Sequence, residues 1–540
     1  MKNHKAAIFI AMLFLSPLIL YPQVDTAWVR RYNGPENLLD EAHSIAVDPT
    51  GNIYVTGYSG RLISTTNNYT TVKYNSSGDT LWVRSYDGSG NGWDEAYDIA
   101  VDDSGYGYVT GRSYSTLTDD DYATIKYSPS GIEQWVRTYD GQANSGDDDD
   151  FARAIAVDDL RNVYVTGQSA GPGTNLDLAT IKYNPSGVGL WVKRYSGPGK
   201  YSDDGACAIA VDGAGNVYVT GYCRDSVTSY DYVTIKYDSF GIEQWVRKYD
   251  GPANYEDRAT AIAVDGSGNV YVTGGSAGSG NHSDYATIKY NSSGDTLWVR
   301  RYDGPDNNWD YASAIAIDGS GNVYVAGESY SSGTDFDYVT IKYSTTGNIQ
   351  WMRSYNGPGN ANDVPAAMAV DGSSNVYVTG GSIKGSSMDY ATIKYNSAGV
   401  EQWVIRYDGP VSLGDWASAI AIDGSGNVYV TGCSYGSGTN MDFATLKYVQ
   451  VSRISENERE PQKLNLVIKP NPARGSAVVS YHLPVKCSVS LRIYNASGRL
   501  INAVTTDKGF FTIRGLPAGL YFLKTEAFGH KQEGKLIILK

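Results

Sequence analysis

Eight aspartates recur at one position of the chain, five residues ahead of an Ile or Met: Asp40, Asp94, Asp150, Asp204, Asp257, Asp310, Asp363 and Asp415. Tryptophan adjoins three of them, as Trp93 before Asp94, Trp309 before Asp310 and Trp416 after Asp415. A flat indole beside a carboxylate suits sugar recognition, because the ring face covers apolar C–H surface while the acid takes hydroxyls. These six residues are the candidate ligand contacts. The competing reading is that the acids cap loop N–H groups and the tryptophans only cover the ends of sheets. Capping suits the acids better than the tryptophans, since the acids recur in every copy and the tryptophans do not.

A second chemistry is suggested by two acidic runs, Asp119-Asp120-Asp121 and Asp147, Asp148, Asp149 and Asp150. Hard carboxylate oxygens in a loop could hold Ca²⁺, although no D-x-D-x-D-G ligand pattern is present. Nucleophilic catalysis has weaker support. G-x-S-x-G occurs at 167–171, 274–278 and 432–436, but each match follows a strand of a repeat with no helical segment after it, so no nucleophile elbow is expected. The five histidines, His4, His43, His282, His482 and His530, are scattered and form no metal-ligand pair. Cys207 and Cys223 fall on adjacent strands and would share a sheet face if that hairpin stays in register, so they are either a disulfide or two buried thiols. We expect no enzyme and no obligatory cofactor.

What positions these residues is a repeat. Trp28, Trp82, Trp135, Trp191, Trp245, Trp298, Trp351 and Trp403 are spaced by 52 to 56 residues. Between them stand short segments in fixed order, well shown by Ala261–Asp265, Asn269–Gly274, Asp284–Tyr290 and Leu297–Tyr302. Each is rich in β-branched and aromatic residues and bounded by Gly, Asn, Asp or Ser, and four strands per ~50 residues is the period of a β-propeller blade. The first two segments are apolar on both faces and read as inner strands; the third alternates Tyr285, Thr287, Lys289 with Ala286, Ile288 and reads as nearer the rim. The eighth set ends at Tyr448 without its Trp strand, so the strand around Trp28 should complete it and close an eight-bladed ring.

Spacing separates the two ends of the sheets. From the Asp ending the first strand to the Gly ending the second is 9 residues in all copies, and from the third-strand Lys to the next Trp is also 9. The two other connections vary, from 20 to 23 and from 14 to 16 residues, and both emerge at the end that carries the eight aspartates and the three unusual tryptophans. Variable loops on a rigid scaffold are where binding residues gather.

The D-x-x-G-N-V-Y-V-T-G and D-Y-A-T-I-K-Y segments resemble the SBBP family of β-propeller repeats over about residues 25 to 449. That resemblance implies seven blades, whereas the strand count here gives eight. Ahead of it, Lys2 and Lys5 precede the apolar stretch Ala6–Leu20, which reads as a secretory signal over residues 1–23. No other stretch could span a membrane, and the formal net charge of −14 argues against a nucleic-acid partner. Only four cysteines in 540 residues leave the fold to its core.

Past a charged linker at 450–462 the repeat gives way to a different pattern over 463–540, short alternating strands that read as an Ig-like β-sandwich. Pro470-Asn471-Pro472, Ile493-Tyr494-Asn495-Ala-Ser-Gly498 and Leu516-Pro-Ala-Gly519-Leu520-Tyr521, with the closing Lys535–Lys540, resemble the type A C-terminal sorting domain of the type IX secretion system. The resemblance implies Pro470, Asn471, Pro472, Gly498, Gly519 and Lys540 as sorting-motif positions. It also implies the secretion machinery as partner and export to the cell surface or the medium. The expected protein is all-β, an exported propeller over 24–449 acting as a non-catalytic binding module for a glycan, another extracellular polymer or a protein. The alternatives are a structural surface scaffold and a polysaccharide-active enzyme.

Overall fold

The computed structural model describes residues 23–540 except 62–65, 142–148, 172–174, 199–202, 225–228, 279, 281, 452–464, 475, 483–488, 507–509 and 528–529. Two compact units emerge, one spanning Pro22–Ser452 and one holding Arg453–Lys540. Both are built of β-strands, with no helix among the described residues.

The first unit consists of eight four-stranded antiparallel sheets, an arrangement consistent with a β-propeller. Sheet 1 is Asp40–Val47, Ile53–Arg61, Thr66–Tyr74 and Thr80–Tyr86, in that spatial order. Sheets 2 to 7 repeat it along the chain. Sheet 8 is Asp415–Ile422, Val428–Tyr435, Met441–Val451 and, as its fourth strand, Gln23–Tyr32. Gln23 lies opposite Val451 and Trp28 opposite Lys447, so the two ends of the unit pair with each other. Strand pairing begins at Gln23 and runs to Val451, which moves Gln23, Gln450 and Val451 out of the expected leader and linker and into the sheet. First strands of consecutive sheets neighbour one another, and the first strand of sheet 8 also packs against that of sheet 1.

The repeated residues explain the repeated shape. In the hairpin between the first two strands, Asp265 Oδ1 accepts from the backbone N–H of Ser267 and Asn269 while Asn269 Nδ2 donates to Oδ2, which is why D-x-x-G-N recurs. Gly268 between them has φ of +75°, a left-handed conformation open to glycine. The second strand runs on past the Gly expected to end it, and there, in mid-strand, a Cβ on Gly57 would lie 1.8 Å from the Glu41 carbonyl oxygen, so that position also has to be glycine.

Sheets are joined by a clamp. Trp82 Nε1 and Lys73 Nζ both donate to the Pro129 carbonyl in the following sheet, at 3.1 and 3.0 Å. The same pair, Trp28 and Lys447, holds Ser76 O and so ties sheet 8 to sheet 1. The lysine ammonium lies over a second-strand tyrosine, as Lys73 Nζ does over Tyr54 at 4.5 Å. The third strand lies outward of the first two, as its alternation suggests, but that alternation does not leave its lysines in solvent. Its lysines are buried, as Lys289 and Lys342 are, because each reaches a carbonyl of the next sheet, and the exposed edge belongs to the fourth strand.

A β-bulge interrupts every first strand, after its third residue in seven sheets and after its second in sheet 4, where the residue it displaces is Cys207. Cys223 meanwhile sits opposite Asp231. The bulge breaks the register that a Cys207–Cys223 disulfide would need, and both are free thiols.

The second unit has two sheets. One is Asn465–Lys469, Ser476–His482 and Phe510–Arg514; the other is Ala473–Arg474, His530–Leu539, Gly519–Ala527, Val489–Asn495 and Leu500–Thr506. Val479, Phe511 and Ile513 from the first meet Leu491, Leu523 and Leu536 from the second in one core.

Candidate functional site

The eight repeated aspartates are all fully buried. Asp310 Oδ2 accepts the Gly304 N–H at 2.6 Å, Asp94 Oδ2 that of Gly88 at 3.0 Å, and Asp415 Oδ2 that of Gly409 at 2.7 Å. Asp415 also accepts from the Tyr435 N–H, and Asp94 from the Ser113 hydroxyl. Each acid therefore ties the incoming loop to the start of its own sheet. Burial pushes Asp94 and Asp310 up to about 6 and raises Asp415, against the hydrogen bonds that favour the ionised form. As ligand contacts Asp94, Asp310 and Asp415 are corrected: their carboxylates lie beneath the surface and are spent on loop N–H groups.

The tryptophans behave differently. Of the fourth-strand tryptophans only Trp191 is more than marginally exposed, whereas Trp93 and Trp309 are 50% and 45% exposed, each at the mouth of a cavity in the variable loops. Trp416 is partly covered and lines neither cavity.

The Trp93 cavity, about 280 Å³, is walled by Arg112, Tyr114, Asp119, Asp120 and Asp149. Arg112 stacks 5.3 Å from the Trp93 ring and is held by Glu95 at 2.9 Å and Asp120 at 3.0 Å. Burial raises Asp120 to about 6 in spite of that arginine. The acidic run expected to bind calcium is thus divided. Asp147 and Asp148 lie outside the described residues, Asp149 is exposed at this cavity, and Asp150 is buried under its loop. Asp150 instead groups with Asp121 and Asp140, their oxygens within 4.8 Å of one another, a set that could hold a cation. In the matching sets of sheets 5 and 7 an arginine already takes that charge, Arg301 on Asp284 at 2.7 Å and Arg406 on Asp389 at 3.1 Å.

The Trp309 cavity is larger, about 360 Å³, and lies where sheets 5 and 6 meet. Tyr255, Trp309 and Tyr311 form its aromatic walls, with Arg258 and Glu256 between them. The Arg258 guanidinium lies 4.5 Å from the Tyr222 ring centre and 4.2 Å from that of Tyr230. Trp309 Nε1 donates to His282 Nδ1, which fixes the indole plane.

Arg258 was not singled out by the sequence pattern, although a signal for it exists. The residue after each buried aspartate changes from copy to copy (Glu41, Glu95, Phe151, Arg258, Tyr311 among them) while its neighbours barely vary. The displaced bulge residues change too: His43 stacks on Tyr97 at 5.6 Å, and Arg153 lies over the same Tyr97 ring at 4.9 Å. Of the G-x-S-x-G serines, Ser169, Ser276 and Ser434 are buried at a strand end that runs into the next strand, an arrangement without an elbow.

In the second unit, Asn471 holds the last strand, donating from Nδ2 to Lys535 O at 2.7 Å and accepting the Ile537 N–H at 3.0 Å. Pro470 and Pro472 flank it through cis bonds. Gly498 turns at φ of +82° under the Asn495 carboxamide, Gly519 opens a strand, and Lys540 follows the last one.

Residues 27–61, 141–173, 245–284 and 297–336 match the SBBP β-propeller repeat, and residues 467–539 match the secretion system C-terminal sorting domain. Such a sorting domain indicates export by the type IX machinery across the outer membrane to the cell surface or the medium. Among curated proteins, an uncharacterized WD repeat-containing protein of Acanthamoeba polyphaga mimivirus is 25% identical over 335 residues, 43% of this chain. The chain spans about a quarter of that relative's length, 24%. A protein of Dyadobacter fermentans whose function is unknown matches with 10% identity, covering 79% of this chain and 99% of its own, at a TM-score of 0.38. A second such protein, from Bacteroides caccae, matches at 11% identity, 56% and 93% coverage and a TM-score of 0.31. No described helix is long and apolar enough to cross a membrane.

Proposed function

From a chain that carries SBBP β-propeller repeats and a secretion-system C-terminal sorting domain, we propose an exported, non-catalytic recognition protein that binds extracellular glycan through its variable loops. The eight sheets act as blades of one closed ring, and the Ig-like second unit directs secretion. Neighbouring first strands all the way round and the Gln23–Tyr32 strand bridging the two ends support ring closure.

One observation carries the binding reading. In a repeat that buries its own tryptophans, Trp93 and Trp309 stand open at the loop end, each at a cavity whose walls combine aromatic and charged side chains. An indole left exposed loses the stabilisation of burial, about 2 kcal/mol or more for a side chain that size, and a sugar face can restore it. The loops are held rigid by the buried aspartates, so little ordering is needed when a ligand arrives. The test is a panel of neutral and charged oligosaccharides titrated against the mature chain, with Trp93→Ala and Trp309→Ala variants. Each variant should weaken binding at least about tenfold with the fold intact, since a stacked aromatic contact is of that order. Binding untouched by both substitutions, or turnover of any oligosaccharide, would remove this reading.

A further inference from the structure

The two cavities differ in charge, and Arg258 makes the difference. In the Trp93 cavity the arginine is committed: Arg112 is engaged by Glu95 and Asp120, with Asp119 and Asp149 close by. In the Trp309 cavity it is not. Arg258 makes no hydrogen bond among the described residues, and its Nε is buried without a partner. Its one ion pair among the described residues, to Glu256, is 3.6 Å long, with the Arg258 and Glu256 side chains 42% and 59% exposed.

Tyr222 and Tyr230 lie 4.5 and 4.2 Å from the guanidinium carbon, with their ring centres 5.2 Å apart and their planes at 86°, so both rings pack on one side of it. The two rings shield that side from water and hold the guanidinium by cation–π attraction, leaving its N–H groups free to bind. A planar fork of donors fits a two-oxygen anion, and such a bond is shorter and stronger than a neutral one. Trp309 lines the same cavity, turned to present its face by His282.

We propose that this cavity binds an anionic sugar residue of an extracellular polysaccharide, with its carboxylate or sulfate on the Arg258 edge and its ring on Trp309. The inference rests on the glycan reading above and names the ligand class for one of the two sites. Glu256 is the group the anion displaces. The chain's overall negative charge does not prevent this, since the screening length is about 8 Å at physiological salt and a local pair is set by its neighbours.

The experiment titrates three hexasaccharides into the mature chain: hexagalacturonate, a sulfated carrageenan hexamer and neutral cellohexaose. The two charged probes separate carboxylate from sulfate as the source of the anion. At least one should bind about tenfold tighter than the neutral probe, the lower end of what a charge-assisted hydrogen bond is worth, because the Arg258 side chain is 42% exposed. Arg258→Gln should abolish that preference and leave neutral binding unchanged. Arg258→Lys should recover only part of it, because an ammonium cannot form the fork, and Glu256→Gln should strengthen binding of the charged probe. Equal affinity for charged and neutral probes, with binding lost in Trp309→Ala, would overturn this inference and leave the glycan reading standing. A preference that survives Arg258→Gln would also overturn it. No binding of any probe would overturn both.

Discussion

The clamp between sheets makes an unusual prediction at sheet 8, where the two ends of the first unit pair. Seven fourth-strand tryptophans give their Nε1–H to a carbonyl in the turn of the next sheet, from 3.1 Å for Trp351 on Ser397 to 3.4 Å for Trp191 on Ser239. Trp403 is the exception. The sheet after it has no such turn, because Met441–Val451 continues past its end and the fourth strand comes from the N-terminus. Gln450 takes over for the lysine, accepting from Lys394, but Trp403 Nε1 is buried with no partner among the described residues. Replacing either tryptophan by phenylalanine removes the same ring area, so the difference between the two variants isolates the N–H. Trp351→Phe loses a hydrogen bond with a net worth of about 1 kcal/mol, and Ser397 O keeps its Lys342 donor at 3.1 Å. Trp403→Phe removes a buried unpaired donor, whose desolvation costs about 1–3 kcal/mol. Trp403→Phe should therefore be the more stable of the two by about 2 kcal/mol or more. Urea unfolding of the mature chain followed by far-UV circular dichroism reads that difference directly. Equal losses, or a larger loss at Trp403, would refute the seam geometry.

Three other outcomes are expected. Deleting residues 23–32 opens the edge of Met441–Val451 and removes Trp28, so the loss should exceed the roughly 3–5 kcal/mol of a Trp→Ala change, and a melting point close to that of the intact chain would contradict the pairing. Burial holds Asp40, Asp94, Asp204 and Asp310 up to about 6, above their unfolded value, so they bind protons more tightly when folded. The stability they contribute is complete below the unfolded pKa and is lost as pH rises through about 6. Unfolding midpoints should therefore rise between pH 7.5 and pH 5, by about 1 kcal/mol per carboxyl, and Asp94→Asn should shrink that rise. The hairpin acids Asp212, Asp265 and Asp371 are shifted the other way by their hydrogen bonds, and their loss begins only under acid conditions below that window. Removing residues 463–540 should leave the first unit in the periplasm, and fractionation that still finds it at the surface would overturn the sorting role.

The β-class, the order of four strands in each repeat and the pairing of the two ends of the first unit were legible in the sequence. Each is written in local chemistry repeated many times: D-x-x-G-N needs no partner beyond its own hairpin, and an eighth strand set without a Trp strand has to find one elsewhere. The motif residues of the last unit were legible for the same reason, since Asn495 and Gly498 form a turn by themselves.

Three decisions belonged to the tertiary structure. Lys289 looks like a rim residue by alternation, yet it is buried, because the carbonyl that satisfies it is contributed by the next sheet. The bulge at Cys207 arises from the close approach of the first and second strands at Gly221, and no two-residue period can reveal it. The sequence placed Asp310 and Trp309 side by side as one recognition pair, but a carboxylate that can reach loop N–H groups turns inward to them, while the indole, bonded to His282, stays out. Arg258 joins Trp309 only because sheets 5 and 6 lie side by side, bringing together residues 51 positions apart. Local hydrogen bonding can be read from spacing; which charge is left unpaired depends on what the neighbouring sheet supplies.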